Sequence, residues 1–247
     1  MDHPSTPAPA GSGAPLAANV FTRAGVARGM RAMLPVVVPV FIFGVAFTIT
    51  ARTAGMQGWE VLAMSASVFA GASQFAVLDL WHSPVPWVPL LLATFAVNAR
   101  HLLLGASLYP WCRSLPPGQL YGAMTVLSDP NWAATVVAQA RGERDLGHLF
   151  GGGVMLWLVW MAGTTAGLAA GHLDLADVKR FGLDAVFICF FACTLVGLRR
   201  GRVDDLPWLV AGGAALAAMW WLPANWHVLV GGLAGGVAGL VQWELKR

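Results

Sequence analysis

The sequence predicts an all-α fold: a polytopic integral membrane helical bundle of about 7–8 transmembrane segments, with one broken helix. Three observations predict it. First, 57% of the 247 residues are hydrophobic and only 11% are charged, whereas a globular domain carries about 25% charged residues and needs them to face water. Second, apolar runs recur along the chain with short polar links between them, each long enough for a hydrocarbon core about 30 Å thick, which takes roughly 17–25 helical residues. Third, glycine (29) and tryptophan (12) are abundant, as expected where helix backbones pack closely and indole rings sit at the lipid–water boundary.

In chain order, residues 1–27 read as a disordered, Pro/Ala-rich cytoplasmic tail. Its first eighteen residues lack the charged start and apolar centre of a signal peptide. Residues 28–247 read as a single transmembrane domain. Apolar runs fall at 34–51, 59–80, 85–109, 146–170, 182–198, 206–222 and 226–243. The run 119–140 is less apolar and is interrupted by Ser128-Asp129-Pro130-Asn131, so counting it gives eight segments and omitting it gives seven. With eight segments and the N-terminus inside, ten basic residues fall on the inner side (Arg23, Arg28, Arg31, Arg141, Arg144, Arg199, Arg200, Arg202, Lys246, Arg247). Four fall outside (Arg52, Arg113, Lys179, Arg180). That asymmetry obeys the positive-inside rule.

Trp59, Trp81, Trp111, Trp208, Trp226 and Trp243 lie near segment ends and read as interfacial anchors. Gly163, Gly167 and Gly171, and again Gly231, Gly235 and Gly239, form one-turn stripes that let two backbones approach, within the chain or in a partner. Cys112, Cys189 and Cys193 form no metal pattern and read as packing residues. The net charge of +3 is spread thinly, with no basic stripe and interleaved aromatics, which argues against nucleic acid. No phosphate loop, serine-nucleophile elbow or zinc motif occurs, so the sequence predicts no enzyme, no cofactor and no metal site.

Polar residues inside the apolar runs are the candidates for chemistry. Arg100 lies about nine residues from its segment's end, roughly 13 Å at 1.5 Å per residue. It cannot snorkel that far and needs a carboxylate, carbonyls or a water-filled cavity. The alternatives are an ion pair fixing helix packing and a solute pathway. Thr94, Asn98, His101 and Gly105 share one face of a regular helix, with Arg100 off it unless the helix breaks there. Asp129, before Pro130, either belongs to an interfacial turn or marks a broken helix of the kind that binds solutes, where it could pair with Arg100. Gln74, on one face with Ser67 and Gly71, either lines a pathway or glues a helix contact. Asp79, Asp174, Asp177, Asp204 and Asp205 read as loop charges, and Asp184 as a helix cap.

Three motifs resemble the AzlC family, the large subunit of bacterial branched-chain amino acid exporters. They are Arg28-Gly29 with Leu34-Pro35 and Phe43-Gly44-Val45-Ala46-Phe47; Phe69-Ala70-Gly71-Ala72-Ser73-Gln74-Phe75; and Asn98-Ala99-Arg100-His101 with Leu104-Gly105. A weaker echo is Gly182-Leu183-Asp184-Ala185. The chain departs from the family where Asp129 is followed by Pro130 instead of a second acid. The resemblance implies export of leucine, isoleucine, valine and analogues across the bacterial cytoplasmic (inner) membrane, with a small AzlD-like membrane subunit and the proton gradient as the driving force. Substrate binding or coupling then falls to Gln74, Asn98, Arg100, His101 and Asp129, with Phe69 and Phe75 in an apolar pocket. Arg100 would meet the substrate carboxylate or hold an acid. Asp129 or His101 would carry the coupling proton, since imidazole titrates near neutral pH. The rival readings are a membrane scaffold subunit, which the glycine stripes suit, and a channel whose substrate is not an amino acid.

Overall fold

The computed structural model describes residues 20–171 apart from 82 and 83, isolated positions between 182 and 199, and residues 201–245 apart from 223–225. Residues 1–19 and most of the predicted run 182–198, with Asp184, Cys189 and Cys193, lie outside the described residues. The chain is helical throughout the described residues, in the order α1 (Arg23–Ala32), α2 (Val37–Thr53), α3 (Gly58–Val68), α4 (Gly71–Ala76), α5 (Trp87–Asn98), α6 (Arg100–Cys112), α7 (Pro117–Thr125), α8 (Asp129–Ala140), α9 (Gly147–Ala169), α10 (Asp205–Trp221) and α11 (Trp226–Glu244). Among the described residues, the stretches Arg23–Thr53, Trp87–Cys112 and Gly147–Ala169 are long and apolar enough to cross a membrane. The predicted helical membrane bundle is what the chain forms.

Residues 20–27, placed in the tail by composition, are instead part of the bundle. Thr22 caps α1 by accepting a hydrogen bond from the Gly25 amide, and Val20 forms a parallel bridge with Asp145. The physical reason lies in Gly25 and Gly29, both buried, which leave α1 a face without side chains. A Cβ on Gly29 would lie 2.0 Å from the His148 carbonyl oxygen, and one on Gly151 2.0 Å from that of Val26. The two backbones therefore touch, as glycine-rich membrane interfaces allow.

The same contact continues into α2, where Gly163 meets Phe41 and Gly167 meets Thr48. The order of these contacts shows that α1–α2 and α9 run in parallel. By contrast, α3 and α8 run antiparallel to α9, as the pairs Gly58–Leu168, Ser65–Thr164 and Ala66–Trp157 on one side, and Val126–Gly153 and Thr135–His148 on the other, require. Two parallel membrane helices need an odd number of crossings between them. The stretch Trp87–Cys112, long and apolar enough to cross, meets that requirement alone, and the two interrupted runs 59–80 and 119–140 satisfy it alongside that stretch only as a pair.

The run 59–80 is not the unbroken helix that its composition suggests. The chain leaves α3 at Phe69, whose φ of 32° is left-handed, and re-enters helix at Gly71. That conformation costs a side-chain-bearing residue about 1–2 kcal/mol. The stretch Trp87–Cys112 changes hydrogen bonding at Ala99, between α5 and α6.

The two larger apolar clusters among the described residues hold the bundle. One gathers Leu108, Trp111, Cys112, Leu146 and Leu149, and the other Phe47, Met56, Val61, Leu78 and Trp160. Trp111, expected at the lipid boundary, is buried because α6 turns it inward onto the first cluster. Asp204, expected in a solvated loop, is also buried, just before α10. Gly231 and Gly235 receive Pro207, Ala211 and Ala215 of α10, so both glycine stripes serve neighbours within this chain.

Candidate functional site

The helix breaks converge at the level of Leu156 and Trp160, near the middle of α9. There they line an open-mouthed cavity of about 90 Å³, room for several waters, since one needs about 10–15 Å³. Pro39, Val40 and Phe43 of α2 form one wall, and the break at Phe69–Ala72 forms another. Arg100 and His101 enter from the start of α6, Ser128, Asp129 and Pro130 from the start of α8, and Leu156 and Trp160 from α9.

The start of α8 is fixed by a capping box. The Ser128 amide donates to the Asn131 side-chain oxygen at 2.7 Å, while the Asn131 amide group donates to the carbonyls of Val126 (2.9 Å) and Leu149 (3.1 Å). Asn131 is fully occupied and buried. Pro130 in the first turn costs α8 no hydrogen bond, because the first amides of a helix have no internal partner. This leaves the carboxylate of Asp129 at the helix N-terminus, where negative charge is favoured, and 3.0 Å from the Arg100 guanidinium. Both side chains are 24% exposed, and both line the cavity.

Three of the five sequence-derived candidates, Arg100, His101 and Asp129, therefore surround one space. The change at Ala99 is what aligns Arg100 with His101, whose Nδ1 lies 3.2 Å from the Asn98 carbonyl oxygen. The other two candidates sit behind the wall. Asn98 donates to the Ser73 hydroxyl at 3.2 Å, and Gln74, fully buried, donates to Ser65 at 3.4 Å. The face shared by Ser67, Gly71 and Gln74 does not exist, because α3 ends before Gly71 and Ser67 turns outward to bond the Ala63 carbonyl. Among the described residues, Arg100 Nε, Asn98 Oδ1, Gln74 Oε1 and Trp160 Nε1 are buried without a hydrogen-bond partner. Such atoms cost about 1–3 kcal/mol each, and they cluster around this cavity and the polar layer behind it.

The apolar wall is aromatic. Phe43 stacks on Phe75 at 4.7 Å between ring centres and meets the Trp160 ring edge-on at 5.4 Å. Phe69 lines the cavity, whereas Phe75 stands behind Phe43. Sequence reasoning missed Phe43 and Trp160, because an aromatic within an apolar run carries no sign of which side it faces. Gly71 admits them: a Cβ there would meet Phe43 at 3.0 Å and Trp160 at 3.1 Å.

A second polar cluster, unforeseen from the sequence, lies where α1 meets the α8–α9 link. Asp145, 3% exposed, accepts from the Thr22 amide (3.0 Å), the Thr22 hydroxyl and the Gly147 amide (2.9 Å). Arg28 reaches Glu143 at 2.8 Å and Asp145 at 3.3 Å. Burial pushes both carboxyls up, but it is outweighed. Arg28 and backbone amides hold Glu143 below its ordinary value, and Thr22, Gly147 and Arg28 do the same for Asp145.

Fold and cavity together define a multi-pass helical membrane protein in which an ion pair lines a largely apolar cavity beside the middle of α9. The family model described as AzlC protein matches residues 35–173, more than half of the chain, and the chain belongs to the AzlC family. The inner membrane protein YgaZ of Escherichia coli (strain K12) is 25% identical over 231 residues, covering 87% of this chain and 91% of that protein. An uncharacterized membrane protein of Archaeoglobus fulgidus is 27% identical over 229 residues, covering 88% and 94%. The branched-chain amino acid transport protein AzlC of Bacillus subtilis (strain 168) is 25% identical over 174 residues, covering 68% and 67%. No solved structure matches the chain.

Proposed function

We propose that this chain is the large subunit of a secondary exporter of leucine, isoleucine, valine and their analogues. It acts with a small AzlD-like membrane subunit, is driven by the proton gradient, and sits in the bacterial cytoplasmic membrane with its N-terminus inside. The observation that carries this reading is the Arg100–Asp129 pair, 3.0 Å apart, at a cavity beside the middle of α9 that Phe43 and Trp160 also line. An α-amino acid with an apolar side chain has the same division: a carboxylate for Arg100, an ammonium for Asp129, and a branched alkyl group for the aromatic wall. The family and the name of the Bacillus subtilis relative supply the substrate class.

Asp129 or His101 takes the coupling proton in this scheme. Gln74 and Asn98 act from behind the wall by holding α4 through Ser65 and Ser73. An apolar pocket separates side chains that differ by one methylene only about 10–200-fold, so leucine, isoleucine and valine should all be carried.

The test is efflux of radiolabelled leucine and valine from dipeptide-loaded cells lacking their own exporters, with the chain expressed alone or beside the small membrane subunit. Faster efflux with both proteins is the expected result. Unchanged efflux, with both proteins confirmed in the membrane, would overturn the reading.

A further inference from the structure

The change of hydrogen bonding at Ala99 fixes which nitrogen of His101 is free. There the Leu102 amide donates to the Ala99 carbonyl at 3.1 Å, one residue nearer than in an α-helix. The Asn98 carbonyl receives the His101 ring instead, 3.2 Å from Nδ1. A carbonyl oxygen only accepts, so Nδ1 carries a proton and the lone pair of the neutral ring lies on Nε2. His101 lines the cavity, and its Nε2 has no hydrogen-bond or carboxylate partner among the described residues.

Few charges surround that lone pair. Arg100 and Asp129 share the cavity with His101 and stand 3.0 Å apart, so their charges cancel. The other lining residues carry no titratable group. Of the elements packed on α6, α5 has no titratable side chain, α8 has Asp129 alone, and α11 has His227 and Glu244. These two stand toward opposite ends of α11, on either side of Gly232, where it meets Leu103. A proton on Asp129 would cancel its ion pair and strand the Arg100 guanidinium. A proton on His101 Nε2 breaks no contact, and imidazole is the side chain that changes charge near neutral pH.

We propose that the coupling proton and the ammonium group of the solute compete for His101 Nε2. The proposal rests on the amino-acid exporter reading above, and it assigns the coupling proton to His101 rather than to Asp129. Neutral His101 accepts a hydrogen bond from the ammonium, whose three N–H donors leave others for Asp129. When Nε2 takes a proton from the outer side, the imidazolium has no lone pair to offer and repels the ammonium, so the solute leaves. The proton then passes to water on the inner side, and the lone pair is restored. One lone pair serves either ligand, so one proton enters for each solute that leaves. By linkage, solute binding must release the proton it displaces.

The test is isothermal titration calorimetry of leucine into the purified full-length chain, together with the small subunit where efflux requires it. Runs between pH 5.5 and 7.5 in buffers of different ionisation enthalpy count the protons released on binding. The parent should release up to one proton per leucine and bind leucine several-fold more weakly at the acid end. In His101→Gln the release should vanish and the pH dependence of binding with it. Release that persists in His101→Gln, or no release by the parent anywhere in this range, would overturn the proposal. Nitrogen-15 spectra of the histidine-labelled parent give a readout that needs no variant. One ring protonated on Nδ1 should shift its Nε2 resonance when leucine binds, and the absence of any such ring would overturn the proposal as well. No leucine binding by the parent at any pH would overturn the exporter reading and this proposal with it.

Discussion

Arg28 and Arg100 each reach a carboxylate from another part of the chain, but the two contacts are finished differently. Asp145 is saturated: two backbone amides, a hydroxyl and Arg28 occupy it, and only 3% of the residue remains exposed. Asp129 has the Arg100 contact alone among the described residues, both side chains line a cavity and stay about a quarter exposed, and Arg100 Nε is unpartnered. A saturated ion pair fastens helices and leaves nothing for a ligand. An unsaturated pair beside a cavity keeps capacity for one, and a charge within a membrane-spanning run marks function. The glycine contacts follow the same division, with backbone touching backbone beside Asp145 and a Cβ-sized gap filled by aromatic rings at Gly71.

The largest effect should come from prising open the fastened side. Gly151→Ala places a methyl group against the Val26 carbonyl, where neither backbone can yield. It should abolish monodisperse protein in size-exclusion chromatography, whereas Gly105→Ala, in open space, should change nothing. Next, Asp145→Ala leaves the amides of Thr22 and Gly147 unpaired. Thermal unfolding should show a loss of about 1–3 kcal/mol, with efflux per folded molecule retained.

The same residue sets an acid limb. Its carboxyl lies below the ordinary value of 3.8 in the folded state. Its contribution is therefore fully present above pH 3.8 and disappears as pH falls through the lowered value. A pH series of melting temperatures should show this drop in the parent and a smaller one in Asp145→Ala. The smallest effect belongs to Gly71→Ala, which presses on the flexible edges of Phe43 and Trp160. It should raise KM for leucine more than for valine, by a few-fold, with little change in stability.

The membrane bundle was legible because lipid-facing helices need long apolar runs, and 34–51 and 146–170 show them plainly. Arg100 and Asp129 were legible as charges out of place, and their pairing is present. The break at Phe69 was not, since a left-handed phenylalanine between apolar residues leaves no mark in composition. Nor was Asp145, which lies in a short charged link and is buried only because α1 lacks side chains at Gly25 and Gly29. Gln74 and Asn98 stood out as polar, but which side of a wall they occupy depends on how α4 turns after the break.

The most direct measurement compares leucine efflux by Arg100→Gln, Asp129→Asn and Asp145→Asn in cells with matched amounts of each protein in the membrane. The account predicts that the first two lose export at least tenfold while the third keeps it. Normal export by Arg100→Gln would remove the cavity pair from the transport site and contradict the account.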